Sequence, residues 1–572
     1  MPNARKLESA ATGAAAATVT FGVCAAGDPR VDEESRQRTL NIVEQVAQIL
    51  SDKVKMPDGS AAEVVYSSIL IDGEAQADAV AAQFKDAGVN AIVCTPDTWA
   101  FPQLSFMSLI AHFPKGTPIN ITCGNSAPKP GVVFAHALNG ALAQAGILAH
   151  INVGNWEETG MNPKISDATV QSLVDWAYAA LTTVGLRGRR IVCFGHDSMG
   201  METALAHVNP TRKAFGLEIT RLDMKLLADM LNKKAYDAEE LKALRAWVDA
   251  KLGDRLDTSQ PDGGAKIDAG LAMYLVMRDL MKDLNAVGGG FMNQLEWGSE
   301  PRGIPLPICD MAESLMNSTF DHNGPKPVCP FGTEADMQGA LTMLFMSWLT
   351  GGNPPLFMDF RKVWEPWEIQ AKAKELGVSF TGDEVWAKKG IVDGDNSGSA
   401  SLNWAAKPGA SADEVMKNVS MPGAELYYFP GGGNSVTFVS PGGIEGIAGR
   451  MTYSELSGMW GLVWDEAHTT DLPDKLADAV ANSSNVTWPH SWIVPKYASM
   501  LEYKQFAPAN HFHMIWGLPV ATLQYWMDLN NVLSIAPWQA RPGIIEGVDR
   551  PQPLMFLMNG GENACKMLRG GK

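Results

Sequence analysis

Over the first third of the chain, short apolar runs alternate with stretches whose apolar positions recur at helical spacing. TVTFGVC, VVYSSILI, NAIVCTP and PINITCG predict strands, and the segments 33–50 and 75–87 predict helices. Such alternation is the mark of a parallel sheet covered by helices. A second unit starts at Gly188-Arg189-Arg190, where IVCFGH predicts another strand entering a loop, followed by LEITRLDM and by helical regions over 237–252 and 269–284. The Met and Leu positions of the latter region repeat at helical spacing and read as core. TEADMQGALTMLFMSWL then predicts a helix and PPLFMDF a short strand. Beyond these the pattern changes: ELYYFPGGGNSVTFVSPGGIEGIAGRMTY predicts strands broken by glycine-rich turns, and the aromatic-rich segment 484–517 continues that character. The expected fold is α/β, with two N-terminal α/β domains holding parallel sheets (1–187 and 188–354) and a C-terminal β-rich, barrel-like domain (355–572).

Composition narrows the choice of partners. The 46 Lys and Arg against 63 Asp and Glu leave a formal charge of −17, with no basic cluster, so neither nucleic acid nor an anionic membrane surface is an expected partner. The apolar runs fall well short of the ~20 residues a membrane span requires. The Ala-rich start of the chain carries Glu8 and lacks a true apolar core, so no export signal is expected and disorder to about Ala16 is. Seven widely spaced cysteines without a CxxC pair predict buried free thiols in a reducing, cytoplasmic setting.

The candidate chemistry lies at element ends. Glu334 precedes the predicted helix, with Thr333 as cap and Asp336 as its capping-box partner, and Asp359 closes PPLFMDF. Buried between Phe357 and Phe360, Asp359 needs a partner: Arg361 in an ion pair, or a metal. HxH in PANHFHMIWG supplies a candidate third ligand; on a strand His511 and His513 share one face and Asn510 takes the other. Two carboxylates and an imidazole suit Mn²⁺ or a related ion. GHDSMGM fails as a nucleophile elbow because His196 stands where glycine is required, and no dinucleotide or phosphate-loop fingerprint follows any strand. GGGFMNQLEW is open to two readings, a carbohydrate-facing loop or a plain turn.

TEADMQGAL, LFMDFR, YYFPGGGNS, TWPHSW and PANH, together with SMGM, GGGF and NSTFDHNG, stand in the order and spacing of the L-fucose isomerase family, which the chain resembles over most of its length. The resemblance implies an aldose–ketose isomerase interconverting L-fucose and L-fuculose, and D-arabinose and D-ribulose, through an ene-diol. It implies Glu334, Asp359 and His511 as metal ligands, with Glu334 and Asp359 also as the acid/base pair. Gln294, Tyr428, Trp488 and Asn510 are implied as sugar contacts, with Trp99 reaching in from the substrate-recognition domain of a neighbouring subunit. Mn²⁺, with Co²⁺ or Mg²⁺ as alternatives, and a homohexamer are expected. The chain departs from the family at Cys24-Ala25-Ala26, where the usual arginine of a GxRP-like turn is missing, and at Asn434, where a tyrosine is usual. Either Arg30 takes over the arginine's contact or the sugar differs, L-arabinose being one alternative; a catalytically silent sugar-binding relative is the other.

Overall fold

The computed structural model describes residues 19–292, 306–396, 398 and 400–536; the side chains of 197, 198, 309 and 506 are not among those described. Gln294, Cys565 and the N-terminal segment to residue 18 lie outside the described residues.

The first sheet has five parallel strands in the order β2-β1-β3-β4-β5: β1 (Thr20–Ala26), β2 (Glu63–Ile71), β3 (Ala91–Cys94), β4 (Ile119–Gly124) and β5 (His150–Gly154). Every residue of β1, β3 and β4 is buried, as expected of central strands with helices on both faces. Among the helices is Glu33–Lys53, whose buried positions Ile42, Val43, Val46, Ala47 and Leu50 form one helical stripe. Its N-cap is Asp32, which accepts from the Ser35 N–H.

The second sheet is also parallel, in the order β12-β8-β6-β7. It comprises β6 (Arg190–Phe194), β7 (Glu218–Leu222), β8 (Ala286–Phe291) and β12 (Phe331–Thr333); the two-residue strands β9 (Ile308–Cys309), β10 (Phe320–Asp321) and β11 (Gly324–Pro325) come before β12. Gly288, Gly289 and Gly290 are neither a loop nor a turn. They form the middle of β8, where a Cβ at 289 would come within 2.5 Å of the Val192 carbonyl oxygen and one at 290 within 3.3 Å of the Ala335 Cα.

The C-terminal strands close into a ring. They are β13 (Leu356–Trp364), β14 (Ile391–Asp395), β16 (Glu445–Ser454), β17 (Met459–Thr469), β18 (His490–Pro495), β19 (His511–Trp516) and β20 (Leu533–Ile535), with β15 (Gly433–Asn434) paired to β9 outside the ring. The order β16-β19-β13-β14-β18-β17 is closed by β16–β17 pairing, giving a six-stranded antiparallel barrel, and β20 adds to β17 in parallel. Closure removes the free edges that a sheet of this size would otherwise expose. The helix Met337–Leu349, buried along its whole length, leads from the second sheet to the barrel.

Of the cysteines, Cys24, Cys94, Cys123 and Cys193 are buried free thiols and Cys329 is a half-buried one. Burial alone pushes the Cys24 thiol well above its ordinary value. Among the described residues no helix is long and apolar enough to cross a membrane.

Candidate active site

Glu334 reaches its place through an uncommon backbone turn. β12 ends at Thr333, and Glu334 and Ala335 then take positive φ angles of 57° and 52°, a region non-glycine residues seldom enter. The turn reverses the chain so that Asp336 begins the helix Met337–Leu349. Thr333 therefore does not cap that helix, contrary to expectation. It ends a strand and its Oγ1 donates to Glu313 Oε2 at 3.3 Å, while Asp336 is the N-cap and accepts from the Gly339 N–H at 2.8 Å.

Asp359 sits in β13 directly opposite His511 of β19 on one side and Asp395 of β14 on the other. The pairing with His511 joins residues 152 positions apart in sequence. Asn510 lies in the turn before β19, its carbonyl accepting from the Phe360 N–H at 2.8 Å and its Nδ2 donating to Asp359 Oδ1 at 3.2 Å. Asn396 Nδ2 donates to Asp359 Oδ2 at 3.1 Å, so both oxygens of Asp359 are held. The two histidines share a face as expected, both on the Phe357 ring at 4.7 and 4.9 Å, whereas Asn510, in the turn ahead of the strand, does not take the opposite face but reaches Asp359 Oδ1 alongside His511.

His511 Nε2 lies 3.2 Å from Glu334 Oε2 and 3.4 Å from Asp359 Oδ1, and it is buried without a hydrogen bond of good geometry. The opposite nitrogen, Nδ1, donates to Asp336 Oδ2 at 2.7 Å. That bond fixes which ring edge faces the two acids. Asp336 in turn is gripped by both terminal nitrogens of Arg450, whose Nη1 also contacts His513 Nε2 at 3.1 Å and whose Nη2 donates to the Thr203 carbonyl at 2.7 Å. Arg450 and Asp336 are almost wholly buried. Neither stood out in the sequence as part of the site. The available signals were an acid two residues after Glu334 and an arginine among apolar residues on a strand.

The electrostatics follow from burial and these contacts. Burial would raise Asp336, yet Arg450 and His511 override it and hold the carboxylate far below its usual range. Asp359 goes the other way: burial pushes it up to about 6, against the pull of His511. Burial would lower His511, but Asp359, Asp336 and Glu334 surround it and raise it to about 10. His513, buried beside Arg450, is lowered well below its ordinary value and stays neutral.

Among the described residues no three His, Cys, Asp or Glu already stand as a ligand set around one point. Glu334 and Asp359 both lie close to His511 Nε2. Their spacing still fits a metal: in an octahedron with bonds of ~2.1 Å, adjacent donors lie ~3 Å apart, close to the 3.2 and 3.4 Å found here. Nε2, which faces both acids while Nδ1 is held from behind, is the nitrogen such an ion would take.

Trp488 and Tyr428 lie together, ring centroids 5.4 Å apart, and the Arg361 guanidinium stands 5.0 Å over the Trp488 ring. Arg361 does not pair with Asp359, the partner it was offered; its Nε donates to both oxygens of buried Asp395 at 3.0 and 3.1 Å. Trp99 and Arg30 are elsewhere in this chain. They follow β3 and β1 in the first domain, where both rest on Phe101, Trp99 at 5.8 Å and Arg30 at 5.7 Å. Arg30 also forks onto Asp28. Among the described residues none of their contacts reaches Glu334, Asp359 or His511. The loop after β6 does more than turn the chain: Met201 Sδ accepts from Asn510 Nδ2 at 3.4 Å, and Thr203 anchors Arg450.

Two carboxylates, one from the turn after β12 and one from β13, thus meet an imidazole from β19. Comparison with known proteins supplies the family. Residues 18–188 match the first N-terminal domain of L-fucose isomerase and residues 189–351 the second, together more than half the chain. An L-fucose isomerase of Phocaeicola vulgatus is 25% identical over 562 residues, covering 91% of each chain. One from Salmonella typhimurium is 26% identical over 504 residues, covering 82% of each. The chain belongs to the L-fucose isomerase family, and is accordingly an intramolecular oxidoreductase of the aldose–ketose isomerase type.

Proposed function

We propose that the protein interconverts L-fucose and L-fuculose, and D-arabinose and D-ribulose, using a divalent ion, Mn²⁺ before Co²⁺ or Mg²⁺, held by Glu334, Asp359 and His511. The observation that carries this reading is the convergence of Glu334 Oε2 and Asp359 Oδ1 on Nε2 of His511, at 3.2 and 3.4 Å.

Isomerisation moves a proton from C2 to C1 of the open-chain aldose, and negative charge collects on O1 and O2 on the way. A bound divalent ion supplies the positive charge that stabilises this ene-diolate. One carboxyl of the Glu334–Asp359 pair takes the proton from C2 and the other returns one at C1, while the O2 hydroxyl proton passes to O1, leaving O2 as the ketose carbonyl; a proton exchanged between the two acids resets the pair. Asn396 and Asn510 keep Asp359 aimed while it does so. Asp336 and Arg450 hold the His511 ring so that Nε2 stays toward the acids. Tyr428 and Trp488 offer faces to the sugar's C–H groups, and Asn510 and Gln294 take its hydroxyls.

The fully buried Cys24, Ala25 and Ala26 cannot reach a sugar, so the contact is assigned to Arg30, which is exposed and rests on Phe101, as Trp99 does. In a homohexamer in the cytoplasm, that edge would complete the site of a neighbouring subunit. The test is an aldose panel on Mn²⁺-loaded protein. L-fucose and D-arabinose should turn over best. If L-arabinose is preferred, the sugar assignment fails; if no aldose reacts with Mn²⁺, Co²⁺ or Mg²⁺, the chain is a silent relative.

A further inference from the structure

Arg361 sits at a break in an otherwise regular strand pair. β13 and β14 pair as Phe360 with Gly394 and Lys362 with Asp393, so Arg361 is the extra residue of a β-bulge. Bulges beside active sites re-aim side chains, and this one lies two residues from Asp359. The guanidinium is fixed at one end and on one face: Nε donates to both oxygens of Asp395, and the plane lies over the buried Trp488 ring. Asp395 is itself fully buried, so the anchor is rigid. The Arg361 side chain keeps about a third of its surface exposed (33%), and among the described residues Nη1 and Nη2 have no hydrogen-bond partner. It is close enough to Asp359 for that carboxylate's charge to be felt.

An arginine anchored through Nε presents its two terminal amino groups as a planar fork, a shape that suits a pair of neighbouring oxygens. Nearby, buried Asn396 Oδ1 and Trp488 Nε1 also lack partners. Unsatisfied polar atoms gathered in a site call for a ligand that supplies both donors and acceptors. A polyol does; an apolar or purely anionic ligand does not.

We propose that Arg361 is a substrate-binding residue whose Nη1 and Nη2 clamp two vicinal hydroxyl oxygens of the open-chain sugar, on the part of the chain beyond the reacting C1–C2 pair. The inference rests on the polyol-binding reading of the site given above, and fixes which side of the mouth holds the unreactive end of the sugar. The reacting end lies toward Glu334 and His511, the clamped diol toward Trp488.

The experiment measures binding rather than turnover, so its failure and that of the isomerase reading are separable. Mn²⁺-loaded wild type, Arg361→Gln and Arg361→Lys are titrated calorimetrically with L-fucitol and D-arabinitol, which cannot isomerise, and with deoxy analogues lacking one hydroxyl of the clamped pair. Arg361→Gln should bind the full alditols on the order of tenfold to a hundredfold more weakly, the loss expected for hydrogen bonds to a charged donor. Wild type should discriminate against the deoxy analogues, and the Gln variant should lose that discrimination. Arg361→Lys keeps the charge without the fork and should recover only part. A residue that merely braces Asp395 and Trp488 would weaken full and deoxy alditols equally; that result, unchanged affinity in Arg361→Gln, or no alditol binding by wild type overturns the proposal.

Discussion

Replacing Asp336 by Asn separates what this acid does for the fold from what it does for the site. The carboxylate balances Arg450, and both groups are almost wholly buried. Removing one charge of such a pair leaves the other uncompensated, which costs about 3–5 kcal/mol. Capping should largely survive, because Asn serves as well as Asp at an N-cap and the Gly339 N–H keeps an acceptor. In a barrel domain of this size the expected drop in melting temperature is on the order of 10 °C. Independently, the hydrogen bond to His511 Nδ1 weakens, and loss of such an outer partner lowers metal affinity by roughly 10–100-fold. The assay is differential scanning calorimetry of the chelator-treated protein alongside Mn²⁺ titration. A double variant, Asp336→Leu with Arg450→Met, sharpens the separation: an apolar pair should regain much of the stability, whereas Mn²⁺ affinity should stay low. If Asp336→Asn keeps both its melting temperature and its Mn²⁺ affinity, the coupling drawn through Asp336 is wrong.

Three further outcomes are expected. Gly339→Ala would put a Cβ 2.5 Å from Asp336 Oδ2 and 2.7 Å from Arg450 Nη1, so it should destabilise by about 1–3 kcal/mol, read as a lower melting temperature. Burial pushes Asp465 up to about 7, although it accepts from the Ala498 N–H at 2.9 Å. A carboxyl raised in the folded state adds stability below its unfolded value near 4, and that stability is lost as pH rises to about 7. Asp465→Asn should therefore gain on wild type by a few kcal/mol between pH 4 and 7, visible in melting curves across that range, and equal pH profiles would refute it. Glu334→Gln should abolish isomerisation while leaving the melting temperature within a few degrees of wild type; full activity would remove Glu334 from the mechanism.

Much of the architecture was legible because it is written in local periodicity. The strands β1 to β4 and β6 are short apolar runs between helical stripes, and the broken, glycine-rich pattern after residue 424 pointed to the barrel. Glu334, Asp359 and His511 could be proposed together because the motifs around them resemble one family. What stayed hidden depends on register and side-chain direction. Only the pairing of β13 with β14 shows that Arg361 serves Asp395 rather than Asp359. Only the left-handed turn at Glu334 and Ala335 moves the cap from Thr333 to Asp336. Gly288 to Gly290 resemble a loop in sequence because glycine marks both turns and close backbone packing, and here it is the packing that requires them.

The central claim is that Glu334, Asp359 and His511 form a metal-dependent site for proton transfer on an aldose. It is tested most directly by following L-fucose by NMR with protein stripped by chelator, before and after Mn²⁺ is restored. The account predicts no ketose from the stripped protein and L-fuculose once Mn²⁺ is added, with His511→Ala inactive under both conditions. Equal turnover with and without the ion, or full activity in His511→Ala, would contradict it.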